Sequence, residues 1–147
     1  MNGHGVILII DDDVDYACLV RVAVQEACIP HPVEMLHDGH AAVNYLQQFG
    51  AMSSGNGATL PALVLLDLKL PHFSGLEVLR WIRSRPELTP VPVILFSGIE
   101  PGDERSQALA LGAASFEVKT FSYRELLEQI AHIRDGFLQP QEFGQAA

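Results

Sequence analysis

The sequence predicts an α/β domain: a five-stranded parallel sheet with helices on both faces. Three observations lead there. Short apolar runs alternate, five times over, with segments whose apolar residues recur at helical spacing. The clearest runs are nearly continuous in Val, Ile and Leu, as strands covered on both faces require. At 147 residues, 48% hydrophobic and 18% charged, the chain can bury one core but is short for two ordinary domains.

The first strand is Val6 to Ile10. The first helix runs from Val14 to Cys28, with Ala17, Val20, Val24 and Ala27 on one face, and Pro30 and Pro32 stop it. Val33 to Leu36 is the second strand. The second helix follows Asp38-Gly39 and turns Ala42, Val43 and Leu46 inward. Gly50 to Thr59 is a Gly/Ser-rich loop. The third strand, Ala62 to Leu66, ends at Asp67. The third helix carries Leu76, Leu79 and Ile82 or Arg83 on its inner face. Pro86 and Pro90 break the chain before the fourth strand, Val91 to Phe96. The fourth helix lies between Pro101-Gly102 and Gly112, and the fifth strand is Ala113 to Val118. The last helix opens on Ser122-Tyr123-Arg124-Glu125, a capping-box spacing, and ends near Gly136. Its inner face is Tyr123, Leu127, Ile130 and Ile133 or Arg134. Residues 5–137 form the domain, 138–147 a tail, and no separate output domain is expected. Crossovers should be right-handed, and the flavodoxin-like strand order 2-1-3-4-5 places strands one and three side by side.

Composition excludes several function classes. Net charge is −9 without a Lys/Arg cluster, which argues against direct nucleic-acid or anionic-membrane binding. The apolar runs are far shorter than a membrane span, and Met1 to Gly5 has no secretory n-region, so a cytoplasmic location is expected. Cys18 and Cys28, placed ~15 Å apart on one helix, cannot pair and read as two small buried hydrophobes.

The chemistry sits at the strand ends. The first strand delivers Asp11 and Asp12, the third Asp67, the fourth Ser97 and the fifth Lys119. Parallel strands put these ends on one edge, where open α/β sheets bind ligands. Three neighbouring carboxylates repel and raise one another's pKa, a conflict that a divalent cation removes. Oxygen-only ligands favour Mg²⁺ with a position open to a phosphoryl oxygen. Asp67, on the central strand, is the candidate nucleophile for an acyl phosphate. Lys119 supplies the second positive charge, and Ser97 supplies a hydroxyl donor. Lys119 is one of only two lysines in the chain, the other being Lys69.

With these residues on the page, the chain resembles the receiver domain of two-component response regulators. The segments that carry the resemblance are Ile9-Ile10-Asp11-Asp12-Asp13, then Asp67-Leu68-Lys69-Leu70-Pro71-His72-Phe73-Ser74-Gly75, then Ile94-Leu95-Phe96-Ser97-Gly98, then Phe116-Glu117-Val118-Lys119. The resemblance implies that Asp67 accepts a phosphoryl group from a phosphohistidine on a sensor histidine kinase. It implies that Asp11 and Asp12 hold Mg²⁺ with Asp67 and the Lys69 backbone carbonyl. It makes Ser97 and Phe116 a switch pair, the hydroxyl moving toward the phosphoryl group and the aromatic turning inward. Output leaves through the fourth helix, fifth strand and fifth helix, here including Arg105, Phe116, Tyr123, Arg124 and Leu127. Relatives that partner bacterial phytochromes often dimerise through this face, and Phe137, Leu138 and Phe143 would extend it. Two positions depart from the family. Thr120 stands where a proline usually follows the lysine, and its peptide bond is expected to be trans. Gly98 leaves the site open to water and kinase.

The expected function is a stand-alone response regulator that binds a protein target. The rival within the binding class is a phosphate shuttle feeding a histidine phosphotransfer protein. The remote enzyme rival is an aspartyl-phosphate hydrolase with Asp11 as nucleophile and Asp13 as acid/base. Asp13 and Asp15 read as helix caps. An EF-hand reading of Asp11-x-Asp13-x-Asp15 fails, because Tyr16 occupies the glycine position and Val22 the terminal ligand position. His37 and His40 have no partner that would complete a metal site.

Overall fold

The computed structural model describes residues 5–51, 59–99 and 102–138. The elements are β1 (Ile7–Ile10), α1 (Val14–Glu26), β2 (Val33–Leu36), α2 (Gly39–Ala51), β3 (Leu63–Asp67), α3 (Gly75–Arg83), a 3₁₀ turn (Pro86–Leu88), β4 (Val93–Ser97), α4 (Glu104–Ala110), β5 (Ser115–Val118) and α5 (Tyr123–Phe137). Five parallel strands are ordered β2-β1-β3-β4-β5, as expected. Residues 52–58 of the Gly/Ser-rich stretch, Pro101, and the tail with Phe143 lie outside the described residues.

The two-residue period of a strand splits the core into two layers. Leu8, Ile10, Val64, Leu66, Val93 and Leu95 face one side and pack under α2, α3 and α4. Ile7, Ile9, Leu63, Leu65, Ile94 and Phe96 face the other side and pack under α1 and α5. Every residue of β1, β3 and β4 is buried, which is why these strands read as continuous apolar runs. The register pairs Ile10 with Leu66, Asp67 with Phe96, and Ser97 with Val118, so the polar strand ends fall on one edge.

The helix ends correct several expectations. The prolines do not stop α1. Its last turn is closed by Cys28 at φ 60°, with the Ile29 N–H donating to the Val24 carbonyl at 3.3 Å. Cys28 is therefore exposed and past the helix, and Cys18 is only half-buried, so neither is the small core hydrophobe the composition suggested. In α3 the inner face includes Val78, while Leu76 stays half-buried. In α5 the deepest residues are Leu126, Ile130 and Ile133, one position round from the Tyr123–Leu127 stripe. That helix continues through Gly136 to Phe137, and Leu138 is buried in the same layer. Phe137 and Leu138 thus pack on their own domain instead of extending a surface. The complete capping box is at Ser74 and Glu77. At α5, Ser122 accepts from the Glu125 N–H, but the Glu125 carboxylate accepts from the Thr120 hydroxyl at 2.7 Å. That hydroxyl oxygen in turn accepts from the Ser122 N–H at 3.0 Å.

Gly75 opens α3 against the end of β3. A Cβ there would stand 2.3 Å from the Asp67 carbonyl oxygen and 2.8 Å from Leu68 Cα. Lacking one, the helix presses its N-terminus onto the strand, and its Gly75 N–H donates to the Leu68 carbonyl at 2.9 Å. This close approach fixes the backbone that presents Asp67.

Candidate functional site

Asp11 and Asp67 leave the ends of two neighbouring strands, β1 and β3, and Asp12 follows in the loop. Their carboxylates form a group in which one oxygen from each lies within 4.8 Å of the others. Asp11 and Asp67 are buried, while Asp12 opens to solvent. Backbone contacts hold the set. The Asp11 N–H donates to the Leu36 carbonyl at 3.0 Å, and the Leu68 N–H donates to the Phe96 carbonyl at 2.7 Å. Asp11 Oδ1 accepts from the Asp13 N–H at 2.9 Å, and Asp13 in turn caps α1 by accepting from the Tyr16 N–H at 3.1 Å. Asp13 is thereby committed to the helix N-terminus.

Lys119 enters from β5. Its own N–H donates to the Ser97 carbonyl at 2.7 Å, which ties the β5 end to the β4 end. Nζ lies 2.9 Å from Asp11 Oδ2 and 3.4 Å from Asp67 Oδ1. The Lys119 side chain is 16% exposed and those of Asp11 and Asp67 are 6% exposed, so the three charges interact in a partly dry environment. Burial alone would lower the Lys119 pKa, but bonding to Asp11 and the Asp67 charge outweigh it and hold it above the ordinary value. Burial, then the Asp11 charge, pushes the Asp67 carboxyl up to about 7 against the pull of Lys119. The nucleophile candidate is thus harder to ionise than a free carboxyl until more positive charge arrives.

The peptide bond joining Lys119 to Thr120 is trans, and no cis bond occurs among the described residues. The aromatic ring of Tyr16, from the first turn of α1, lies under the ammonium with Nζ 4.6 Å from its centroid. Sequence reasoning gave Tyr16 no role. The available signal was an aromatic one helical turn past the acid pair.

Ser97 is buried at the end of β4. Its hydroxyl donates to the Ile99 carbonyl at 2.8 Å, and its oxygen lies 3.3 Å from the Ile99 N–H. The hydroxyl is therefore engaged within its own loop. Phe116 is 3% exposed in the layer under α4. Arg105, from α4, places its guanidinium 5.2 Å from that ring and donates to the Phe116 carbonyl at 3.2 Å. Lys69 is exposed in the loop after β3. A Cβ on Gly98 would meet nothing within 4 Å, so the mouth beside Ser97 is open. His40 stacks on Phe73, and His37 Nδ1 lies 3.0 Å from the Asp11 carbonyl oxygen. Neither joins a metal-ligand group among the described residues.

Oxygen-only donors, two of them buried, fit a small hard divalent cation, and such a cation would also relieve their mutual repulsion. Among the described residues no helix is long and apolar enough to cross a membrane.

Comparison with known proteins gives a consistent picture. A family model described as the response regulator receiver domain matches residues 7–131. Response regulator Rcp1 of Synechocystis is 30% identical over 138 residues, spanning 94% of this chain and 92% of that protein. The crystal structure of the phosphorylated cyanobacterial phytochrome response regulator RcpA superimposes with a TM-score of 0.80 at 30% identity, covering 92% of this chain and 95% of that one. The Mn(2+)-bound form of Rcp1 superimposes with a TM-score of 0.77 at 30% identity over the same shares of each chain.

Proposed function

This chain belongs to the response regulator receiver family of two-component signalling, and from that premise we propose that Asp67 accepts a phosphoryl group from a sensor histidine kinase. One observation carries the proposal. A buried carboxylate group within 4.8 Å of two others is paired with an ammonium 3.4 Å away, at the ligand-binding edge of the sheet. An Asp67 oxygen attacks phosphorus, the P–N bond of the donor phosphohistidine breaks, and its electron pair returns to the imidazole nitrogen. The product is an aspartyl phosphate. Lys119 offsets the charge on the phosphoryl oxygens, because little covalent help is needed beyond position and charge.

Asp11, Asp12, Asp67 and the Lys69 backbone carbonyl would hold Mg²⁺. When bound, the cation supplies the positive charge that keeps Asp67 ionised and steadies a phosphoryl oxygen. Ser97 is the switch hydroxyl, which must release the Ile99 carbonyl to reach the phosphoryl group. Phe116 is its aromatic partner.

The domain signals by protein contact in the cytoplasm as a stand-alone regulator, with no further catalytic activity of its own. The match to response regulator Rcp1 over 92% of that protein supports the stand-alone part of this reading. Its output face is α4, β5 and α5, used for a target or a homodimer. A groove of about 600 Å³ where β5 leads into α5, lined by Val118, Thr120, Glu125 and Gln129 and by the fully exposed Phe121, supports the β5–α5 end of that face.

Incubation with acetyl phosphate and Mg²⁺ followed by intact mass tests the proposal. One added phosphoryl group is expected, and none on Asp67→Asn. An adduct that persists in the variant rejects Asp67 as acceptor.

A further inference from the structure

We propose that Tyr16 is a positioning residue for Lys119: its ring forms the platform that keeps the ammonium in the site. The inference rests on the reading of Asp67 and Lys119 above, and goes beyond it in naming what places the lysine.

Lys119 follows the last residue of β5, and Thr120 after it follows a trans peptide bond. The lysine stem is flexible, with three rotatable donors and no fork to fix its direction. Within the described structure the ammonium has two kinds of neighbour. One is the carboxylate pair of Asp11 and Asp67, at 2.9 and 3.4 Å. The other is the Tyr16 ring, 4.6 Å from Nζ. The carboxylates are the groups that must also serve a cation and a phosphoryl group, so their hold on the lysine varies with the state of the site. The ring's hold does not depend on that state, because it comes from the fixed quadrupole of the aromatic face.

The placement of Tyr16 is determined by the same acidic loop. Asp11 Oδ1 accepts from the Asp13 N–H, and the Asp13 side chain accepts from the Tyr16 N–H. Two short-range bonds therefore link the buried acid to the position of the ring. The ring also walls the small space beside Asp67, together with Val20, Leu66 and Phe96. Its hydroxyl is buried against the Thr120 backbone, outside good hydrogen-bond geometry. Tyr16 thus touches the lysine with its face and the next residue with its edge. A ring attraction is tolerant of small lateral shifts, which suits an ammonium that moves from carboxylate to phosphoryl oxygens during transfer.

The test uses the chain's lysine content. With only Lys69 and Lys119 present, lysine labelled with ¹³C at Cε gives two signals, assigned with Lys69→Arg. In the metal-free wild type the Lys119 εCH₂ protons should be shifted upfield by the ring current. Tyr16→Phe should keep that shift, and Tyr16→Leu should move the signal to the Lys69 position. An unshifted Lys119 signal in the wild type, or a shift that survives in Tyr16→Leu, overturns the proposal. These spectra need no phosphorylation, so they decide the matter even if Asp67 proves not to be the acceptor. With acetyl phosphate, Tyr16→Leu should phosphorylate about threefold to tenfold more slowly. Tyr16→Phe should restore the rate, and the Mg²⁺ affinity by calorimetry should be unchanged. In a Lys119→Ala background, Tyr16→Leu should add no further slowing. An equal slowing there would mean that Tyr16 acts independently of the lysine, and would also overturn it.

Discussion

Replacing Asp67 by Asn should make the metal-free protein more stable at pH 8, because it removes a charge that the fold resists holding. Burial and the Asp11 charge push the Asp67 carboxyl from 3.8 to about 7, with the attraction of Lys119 already included in that balance. Below pH 3.8 the group is protonated in folded and unfolded chains alike and contributes nothing to the difference. Between there and about 7 the unfolded chain ionises while the folded one keeps its proton, so stability falls as pH rises. Above about 7 the penalty is complete. It amounts to ~4 kcal/mol at most. Water entering beside the exposed Asp12 screens the charge and leaves about 1–3 kcal/mol. For a domain of this size that raises Tm by roughly 3–10 °C. Thermal melts in EDTA at pH 8 and pH 4.5 measure it. The Asn variant should gain at pH 8 and lose most of that advantage at pH 4.5. If Asn is neutral or destabilising at pH 8, the carboxylates are not repelling one another and the electrostatic account of the site is wrong.

Three further outcomes are expected. Gly75→Ala forces a Cβ to within 2.3 Å of the Asp67 carbonyl, so it should cost about 3 kcal/mol in urea melts and slow phosphorylation. A wild-type rate would show that the helix start does not hold the acceptor. Arg83 donates to the carbonyls of Gly112, Leu88, Thr89 and Val91, so Arg83→Ala should cost about 2–4 kcal/mol while leaving the phosphorylated fraction of folded protein unchanged. Cys28→Gly relieves a left-handed backbone at φ 60° and should stabilise by about 1 kcal/mol, read from the same melts.

The sheet and the strand-end residues were legible because both depend on local pattern. A strand buried on both faces must be apolar throughout, and a parallel sheet must gather its C-terminal ends. Asp11, Asp67, Ser97 and Lys119 follow from that rule alone. Helix faces were read less well. Leu126, deepest in α5, was passed over because Tyr123, Leu127 and Ile130 fit the same period, and only the docking angle against α1 chooses between the stripes. The end of α1 was assigned to proline because a left-handed cysteine has no sequence signal comparable to glycine. The Ser74–Glu77 box was visible in the sequence, since its spacing is the one read at Ser122 and Glu125. Arg105 was placed on the output face by resemblance, but its contact with Phe116, and that of Tyr16 with Lys119, were not legible, because each joins residues more than ten positions apart through a ring contact.

The inward rest position of Phe116 has a consequence for signal strength. A switch can amplify only by moving a population from one well to another, and phosphorylation shifts that balance by no more than its preference between the wells. Here the ring already occupies the interior, with Arg105 stacked on it and bonded to its carbonyl. On the proposed function, a rotamer shared by the resting and phosphorylated states drops out of the gain. On that reading, what remains to be converted is the short Ser97–Ile99 turn. A ring that is inward in both states then leaves the phosphoryl group to adjust the occupancy of a surface already largely formed, rather than to create it.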